Sequence, residues 1–194
     1  MLIVVRHGRT VANAAGLLQG RIDHPLDEVG RSQARMIADA LGSVDRVIAS
    51  PLIRAQETAA ALGVPVEIDE RWLELDYGEL DGKAVHEVPD EIWLRWRTDP
   101  DFAPVGGESY GQLHERVVPA CEELLEESRD RTVVVVSHVS PIKVAVAWAL
   151  GAPDSTAFRC FLDQASISRI DVGRLGPVLR SYNETWHLVP SVAP

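Results

Sequence analysis

Leu2-Ile3-Val4-Val5-Arg6-His7 and Thr132-Val133-Val134-Val135-Val136-Ser137-His138 are the two stretches on which the reading of the fold turns. Each is a short run rich in Val and Ile, of the kind that suits a buried strand, and each ends in polar residues. Arg46 to Ser50 and Ser166 to Asp171 read the same way. Amphipathic patterns lie between them. From Asp27 to Leu41, residues Ala34, Ile37, Ala38 and Leu41 share one helical face, with Asp27 placed to cap the start and Gly42 the end. A second helix is expected from near Pro51 to Gly63. A third runs from about Ser109, with Leu113, Val117, Cys121 and Leu124 on one face and Pro119 predicting a kink or a break. Pro141 in a first turn and Gly151 beyond the end bracket a fourth, very apolar helix. Strands alternating with helices imply an α/β fold: three α/β/α layers, a mostly parallel central sheet and right-handed crossovers.

The 194 residues, 46% hydrophobic and 25% charged, fit one domain spanning 1–194. The least regular stretch, 70–107, carries Gly78, Gly82, Pro89, Pro100, Pro104 and Gly106-Gly107 and is the expected lid. Residues 191–194 are expected to fray. No apolar run reaches bilayer length, and Met1 leads into the first strand with no basic n-region, so neither a membrane span nor a signal peptide is expected. Cys121 and Cys160 lack a C-x-x-C spacing and read as reduced thiols of a cytoplasmic protein. The net charge of −10 argues against nonspecific binding to nucleic acid or anionic membranes. An anionic small ligand would need a local cationic pocket.

Such a pocket is written at the strand ends. Arg6 and His7 end the first strand, Arg54 opens the helix after the second, and His138 follows the Val133–Ser137 run. In open α/β sheets ligands bind outside the C-terminal ends of strands. Arginine offers phosphate a planar fork of donors at any working pH. A histidine beside such cations has its protonated form disfavoured, leaving a neutral imidazole able to attack phosphorus. Taken singly, Arg54 could pair with Glu57 and His138 could be a satisfied core histidine. Their joint placement at one rim favours function.

Arg6-His7-Gly8-Arg9-Thr10, then Asn13, Gln19-Gly20, Asp23 and Pro25-Leu26, resembles the opening signature of the histidine phosphatase superfamily, which includes cofactor-dependent phosphoglycerate mutases. The likeness continues through Gly30, Gln33-Ala34, Ser50-Pro51-Leu52, Arg54-Ala55, Thr58-Ala59, Glu74 to Gly82, Gly106-Gly107-Glu108-Ser109 and Ser137-His138, in order along nearly the whole chain. The resemblance implies a phosphoglycerate mutase-like fold and no metal or other cofactor. It implies His7 as the phosphorylated nucleophile and Glu74 as proton donor. Arg6, Arg54 and His138 would complete the phosphate pocket, with Asn13 and the Gln19-Gly20 loop as further donors. His24, His86 and His114 are scattered and read as surface residues. Val139 stands where the family usually has Gly, adding a side chain beside the pocket, and Arg9 replaces a common Glu or Gln.

The implied reaction is phosphomonoester hydrolysis through phosphohistidine, with Glu74 protonating the leaving oxygen and then activating water. A mutase is the alternative, but its acid is typically followed by Arg-His-Tyr, whereas Leu75-Asp76-Tyr77 follow Glu74. A non-catalytic phosphate-binding module is the other alternative, disfavoured because every reactive position carries suitable chemistry. Candidate substrates include phosphoglycerates, sugar phosphates, glucosyl-phosphoglycerate and ribazole phosphate. Trp93, Arg95 and Trp96 on a short helix either contact substrate or anchor that helix. The apolar terminal segment and exposed lid would allow a homodimer.

Overall fold

The strand Leu2–Arg6 (β1) has two cores to fill. Leu2 and Val4 point into one, Ile3 and Val5 into the other, and all four are buried. Arg46–Ala49 (β2) and Val66–Ile68 (β3) follow. In Val133–Ser137 (β4) the division repeats, Val133 and Val135 against Val134 and Val136. Side chains alternate across a sheet, so a run apolar at every position answers a sheet covered on both faces. Ile167–Gly173 (β5) and Gly176–Glu184 (β6) complete six strands, in the order β3-β2-β4-β1-β5-β6. In this computed structural model, which describes residues 1–189, β1 to β4 run parallel and β5 and β6 form an antiparallel hairpin at one edge. The expected tail, 191–194, lies outside the described residues.

Among the described residues there are six α-helices: Val11–Ala14 (α1), Glu28–Leu41 (α2), Ile53–Ala60 (α3), Asp90–Thr98 (α4), Tyr110–Glu127 (α5) and Val139–Ala149 (α6). Ile37 of α2 and Ala55 and Ala59 of α3 enter the Ile3–Val5 core; Leu113, Val117, Cys121 and Leu124 of α5 and Ile142 of α6 enter the other. The result is the expected three-layer arrangement. Asp27 caps α2, its carboxylate accepting from the Gly30 N–H at 2.8 Å, and Gly42 closes it at φ 62°. Ser109 and Gln112 form a reciprocal capping box on α5. No break occurs at Pro119. It and Glu115, whose carbonyl the ring leaves unpaired, both lie on the exposed side, where water replaces the missing bond. Among the described residues no helix is long and apolar enough to cross a membrane.

Two strands have no counterpart in the sequence reading. β3 is three residues long and ends in exposed Ile68, and β6 carries Pro177, Arg180, Ser181 and Asn183 on an edge. Each is a strand because a neighbour supplies its pairing, not because its composition demands burial. The stretch 70–107 holds three 3₁₀ turns and α4, yet Trp72, Leu75, Leu80 and Trp96 within it are buried in the core below α5 and α6. Gly78, at φ 52°, presses against the backbone of residues 105–107, where a Cβ would collide with the Val105 carbonyl.

Candidate active site

In the β1–β4 register Arg6 lies beside Ser137, so the residues after the two strands, His7 and His138, emerge level with each other. Their rings sit 5.0 Å apart, centroid to centroid. A cavity of about 350 Å³ opens there, and Arg6, His7, Asn13, Gln19, Glu74 and Val139 all line it. Arg54, His138 and Gly20 stand behind that wall.

His7 is buried, and its Nδ1 lies 2.7 Å from the Gly8 carbonyl. A carbonyl only accepts, so Nδ1 carries the proton of the neutral ring and Nε2 keeps the lone pair. Burial first, then the Arg54 and Arg6 guanidinium groups, hold the imidazole well below its usual pKa range. Gly8 reaches this place because its N–H donates to Thr58 Oγ1 and because it packs without a Cβ against Gly30, whose carbonyl oxygen such a Cβ would meet at 2.5 Å.

Arg54 is fully buried. Its Nη1 donates to the Ile22 carbonyl, its Nη2 to those of Gln19 and Gly20, and its Nε to His138 Nδ1 at 3.2 Å. Since a guanidinium only donates, His138 must carry its proton on Nε2, which donates to Ser50 Oγ at 2.8 Å. Burial first, then Arg54, also lowers the His138 pKa well below the ordinary value. Burial lowers that of Arg54 itself to about 10. The nearest acid to Arg54 is Asp23, at 3.8 Å; Glu57 instead accepts from the Leu26 N–H. The loop that Arg54 grips is held from its other side by Asp81, whose carboxylate accepts from the N–H groups of Gly20, Arg21 and Ile22 at 2.7–2.8 Å. Gly20 therefore meets its neighbours through both backbone groups, and its N–H faces Asp81 rather than the cavity.

Arg6 donates Nη1 to the Leu162 carbonyl, while its Nε is buried without a partner. Asn13, which lines the cavity, uses its oxygen to cap α1, so its amide N–H₂ is not needed for the cap, and Gln19 accepts from Thr10 Oγ1. Glu74 Oε1 accepts from the Leu75 and Ser140 N–H groups, and Oε2 from that of Val139. It thus satisfies the first amides of α6, whose N-cap residue, His138, has its ring engaged elsewhere. Of the other acids near Glu74, Glu108 is paired with Arg116 at 2.7 Å and Asp76 accepts from the Gly78 N–H.

A family model described as the histidine phosphatase superfamily (branch 1) matches residues 2–185. The chain belongs to the histidine phosphatase superfamily. Phosphoserine phosphatase 1 of Hydrogenobacter thermophilus is 34% identical over 197 residues, covering 96% of this chain and 93% of that one. A bifunctional protein of Mycobacterium tuberculosis is 35% identical over 198 residues, covering 96% of this chain but 54% of the relative. The chain thus spans about half the length of the first curated relatives it matches. A phosphoserine phosphatase variant from Entamoeba histolytica, solved in complex with phosphoserine, superposes with a TM-score of 0.88 at 28% identity over 97% of this chain and 98% of that one.

Within this superfamily fold, some sequence-marked residues lie outside the cavity. Arg9 pairs with Asp27 at 2.7 Å, and Arg95 stacks over Phe102 at 4.0 Å. Among the described residues no cluster of three or more His, Cys, Asp or Glu is placed to hold a metal ion. Conversely, Tyr77, Tyr110, Ser140, Lys143, Phe158 and Phe161 line the cavity and had no assigned role. Lys143 alone left a trace in the sequence, as the one charge on an apolar helix.

Proposed function

We propose that this chain hydrolyses phosphomonoesters of small metabolites through a phosphohistidine on His7. The observation that carries the reading is the state of that ring: Nδ1–H is engaged with the Gly8 carbonyl, the ring is held neutral, and Nε2 has no partner among the described residues. Kinship with enzymes named as phosphatases supports hydrolysis, and Leu75 after Glu74 leaves the mutase-type arginine unrepresented.

In the first half-reaction the phosphate enters between Arg6 and the Asn13 amide, with Arg54 and His138 adding field and orientation from behind. His7 Nε2 forms a bond to phosphorus as the ester P–O bond breaks. Glu74, as carboxylic acid, gives its proton to the departing oxygen. Oε2, which accepts a single hydrogen bond, is the oxygen with room for that proton. In the second half water attacks phosphorus, ionised Glu74 takes the water proton, the N–P bond breaks and inorganic phosphate leaves. Arginines supply the charge compensation, so this scheme calls for no metal. From the 70–107 stretch, Glu74, Leu75, Tyr77, Val85, Trp93 and Trp96 line the cavity, and two free cysteines fit a cytoplasmic setting.

Rapid quenching during turnover of 4-nitrophenyl phosphate tests the proposal. Wild type should yield an acid-labile, base-stable phosphoprotein, and a folded His7→Ala variant none. The same adduct in that variant would remove His7 from the role.

A further inference from the structure

We infer that the cavity beyond the phosphate end accepts a leaving group built on a flat ring that carries a second anion, with Lys143 recognising that anion. The inference rests on the proposed phosphatase reading and names its substrate class. Lys143 is the single charged residue of α6, on the face shared with Val139 and Ser140. It is half-buried, it lines the cavity, and among the described residues it has no hydrogen-bond or ion-pair partner. Burial lowers its pKa, and Glu74 and Cys160 oppose that shift. A lysine desolvated without a partner is unfavourable by itself and calls for an anion in its complex. The phosphate is not that anion. Two guanidinium groups, Arg6 and Arg54, already match the charge of a dianion, so a third cation is surplus at the phosphate end.

The walls specify the rest of the ligand. Tyr77, Trp96 and Trp93 form one aromatic bank, with centroids 5.8 and 5.4 Å apart along it. Tyr110 and Phe158, 4.8 Å apart, form a second, and Phe161 stands exposed among the lining residues. Burial keeps both tyrosine phenols protonated, so neither bank brings a negative charge. Aromatic faces reward a flat apolar ring and give a short polar chain little to bind.

The test uses benzyl phosphate, its 3- and 4-carboxylated forms, and ethyl phosphate, all with alkyl-type leaving groups. In wild type, kcat/KM should rise at least about tenfold from ethyl to benzyl phosphate and about tenfold again for one carboxylated form. Lys143→Met should abolish the second gain, and Lys143→Arg should retain most of it. The deciding quantity is the wild-type to Lys143→Met ratio for the carboxylated ester divided by that for benzyl phosphate. A value near one with both carboxylates, while benzyl phosphate still turns over through His7, overturns this inference and leaves the phosphatase reading intact. If no ester forms the His7 adduct, both readings fall.

Discussion

Replacing Arg54 by Lys keeps the charge and removes the fork, and the geometry allows the consequence to be sized. Arg54 serves four acceptors: the carbonyls of Gln19, Gly20 and Ile22 and the Nδ1 of His138. They lie on different sides of the planar group, and one ammonium can reach at most two of them. At least two buried acceptors then lose their donor, at about 1–3 kcal/mol each, so unfolding free energy should fall by about 2–6 kcal/mol. That is a large fraction of the ~5–15 kcal/mol typical of a native domain. Activity should suffer through two routes. The Gln19–Ile22 loop, gripped from its other face by Asp81, loses its inner anchor, and His138 loses the donor that fixes its tautomer. Loss of preorganised donors is typically worth about a hundredfold to a thousandfold in rate, and a decrease of at least about a hundredfold in kcat/KM is expected. Urea unfolding gives the first number and single-turnover phosphorylation of His7 the second. An unfolding midpoint and a phosphorylation rate both near wild type would refute the reasoning, because lysine would then have satisfied a site argued to need a planar, four-bond donor.

Glu74→Gln should slow phosphorylation of His7 by alkyl phosphates about a hundredfold to ten-thousandfold, and much less by 4-nitrophenyl phosphate, whose leaving group departs without a proton; equal losses in single turnover would exclude Glu74 as the leaving-group acid. The stability of the fold should decline on acidification. His7 and His138 have folded pKa values well below 6.5, and His187 is lowered too, so the unfolded chain binds more protons once the pH falls through about 6.5. The slope for two such histidines approaches about 2.7 kcal/mol per pH unit and levels off only below their folded values. Urea midpoints that stay flat from pH 7.5 to 5.5 would contradict the buried neutral state.

Most of the architecture was readable because the central strands are buried on both faces. In Leu2–Val5 and Val133–Val136 every position faces a core, so composition alone marks the strand, and the residue after it falls at the ligand-binding rim. That is why Arg6, His7 and His138 could be placed together from sequence. The caps Asp27 and Gly42 were equally legible, since a cap is a local hydrogen bond. The edge strands β3 and β6 were not, because what makes them strands is a partner distant in sequence. The same limit applies within the site. Tyr77, Tyr110, Lys143 and Phe158 converge through the crossovers of the sheet, and no spacing along the chain records that convergence. The commitment of Gly20 to Asp81 and Arg54 is likewise a tertiary fact, sixty-one residues apart in one case.

Burial and charge in this site are one device rather than two. A chain of net charge −10 cannot attract an anion by its overall field, so the attraction must be local, and Arg6 and Arg54 supply it from buried positions. Dehydrating them is unfavourable, which shows in the lowered pKa of both, yet at about 10 Arg54 remains a cation at neutral pH. A bound phosphate dianion relieves that penalty, through charge-assisted hydrogen bonds to Arg6 and through its field at Arg54, whose donors already serve four protein acceptors. The same burial, followed by the same two guanidinium groups, keeps His7 from becoming a third cation. Binding and nucleophilicity therefore share a cause. Weakening the cationic pocket would loosen phosphate and would also let His7 take up a proton at higher pH, withdrawing the lone pair that the proposed reaction needs.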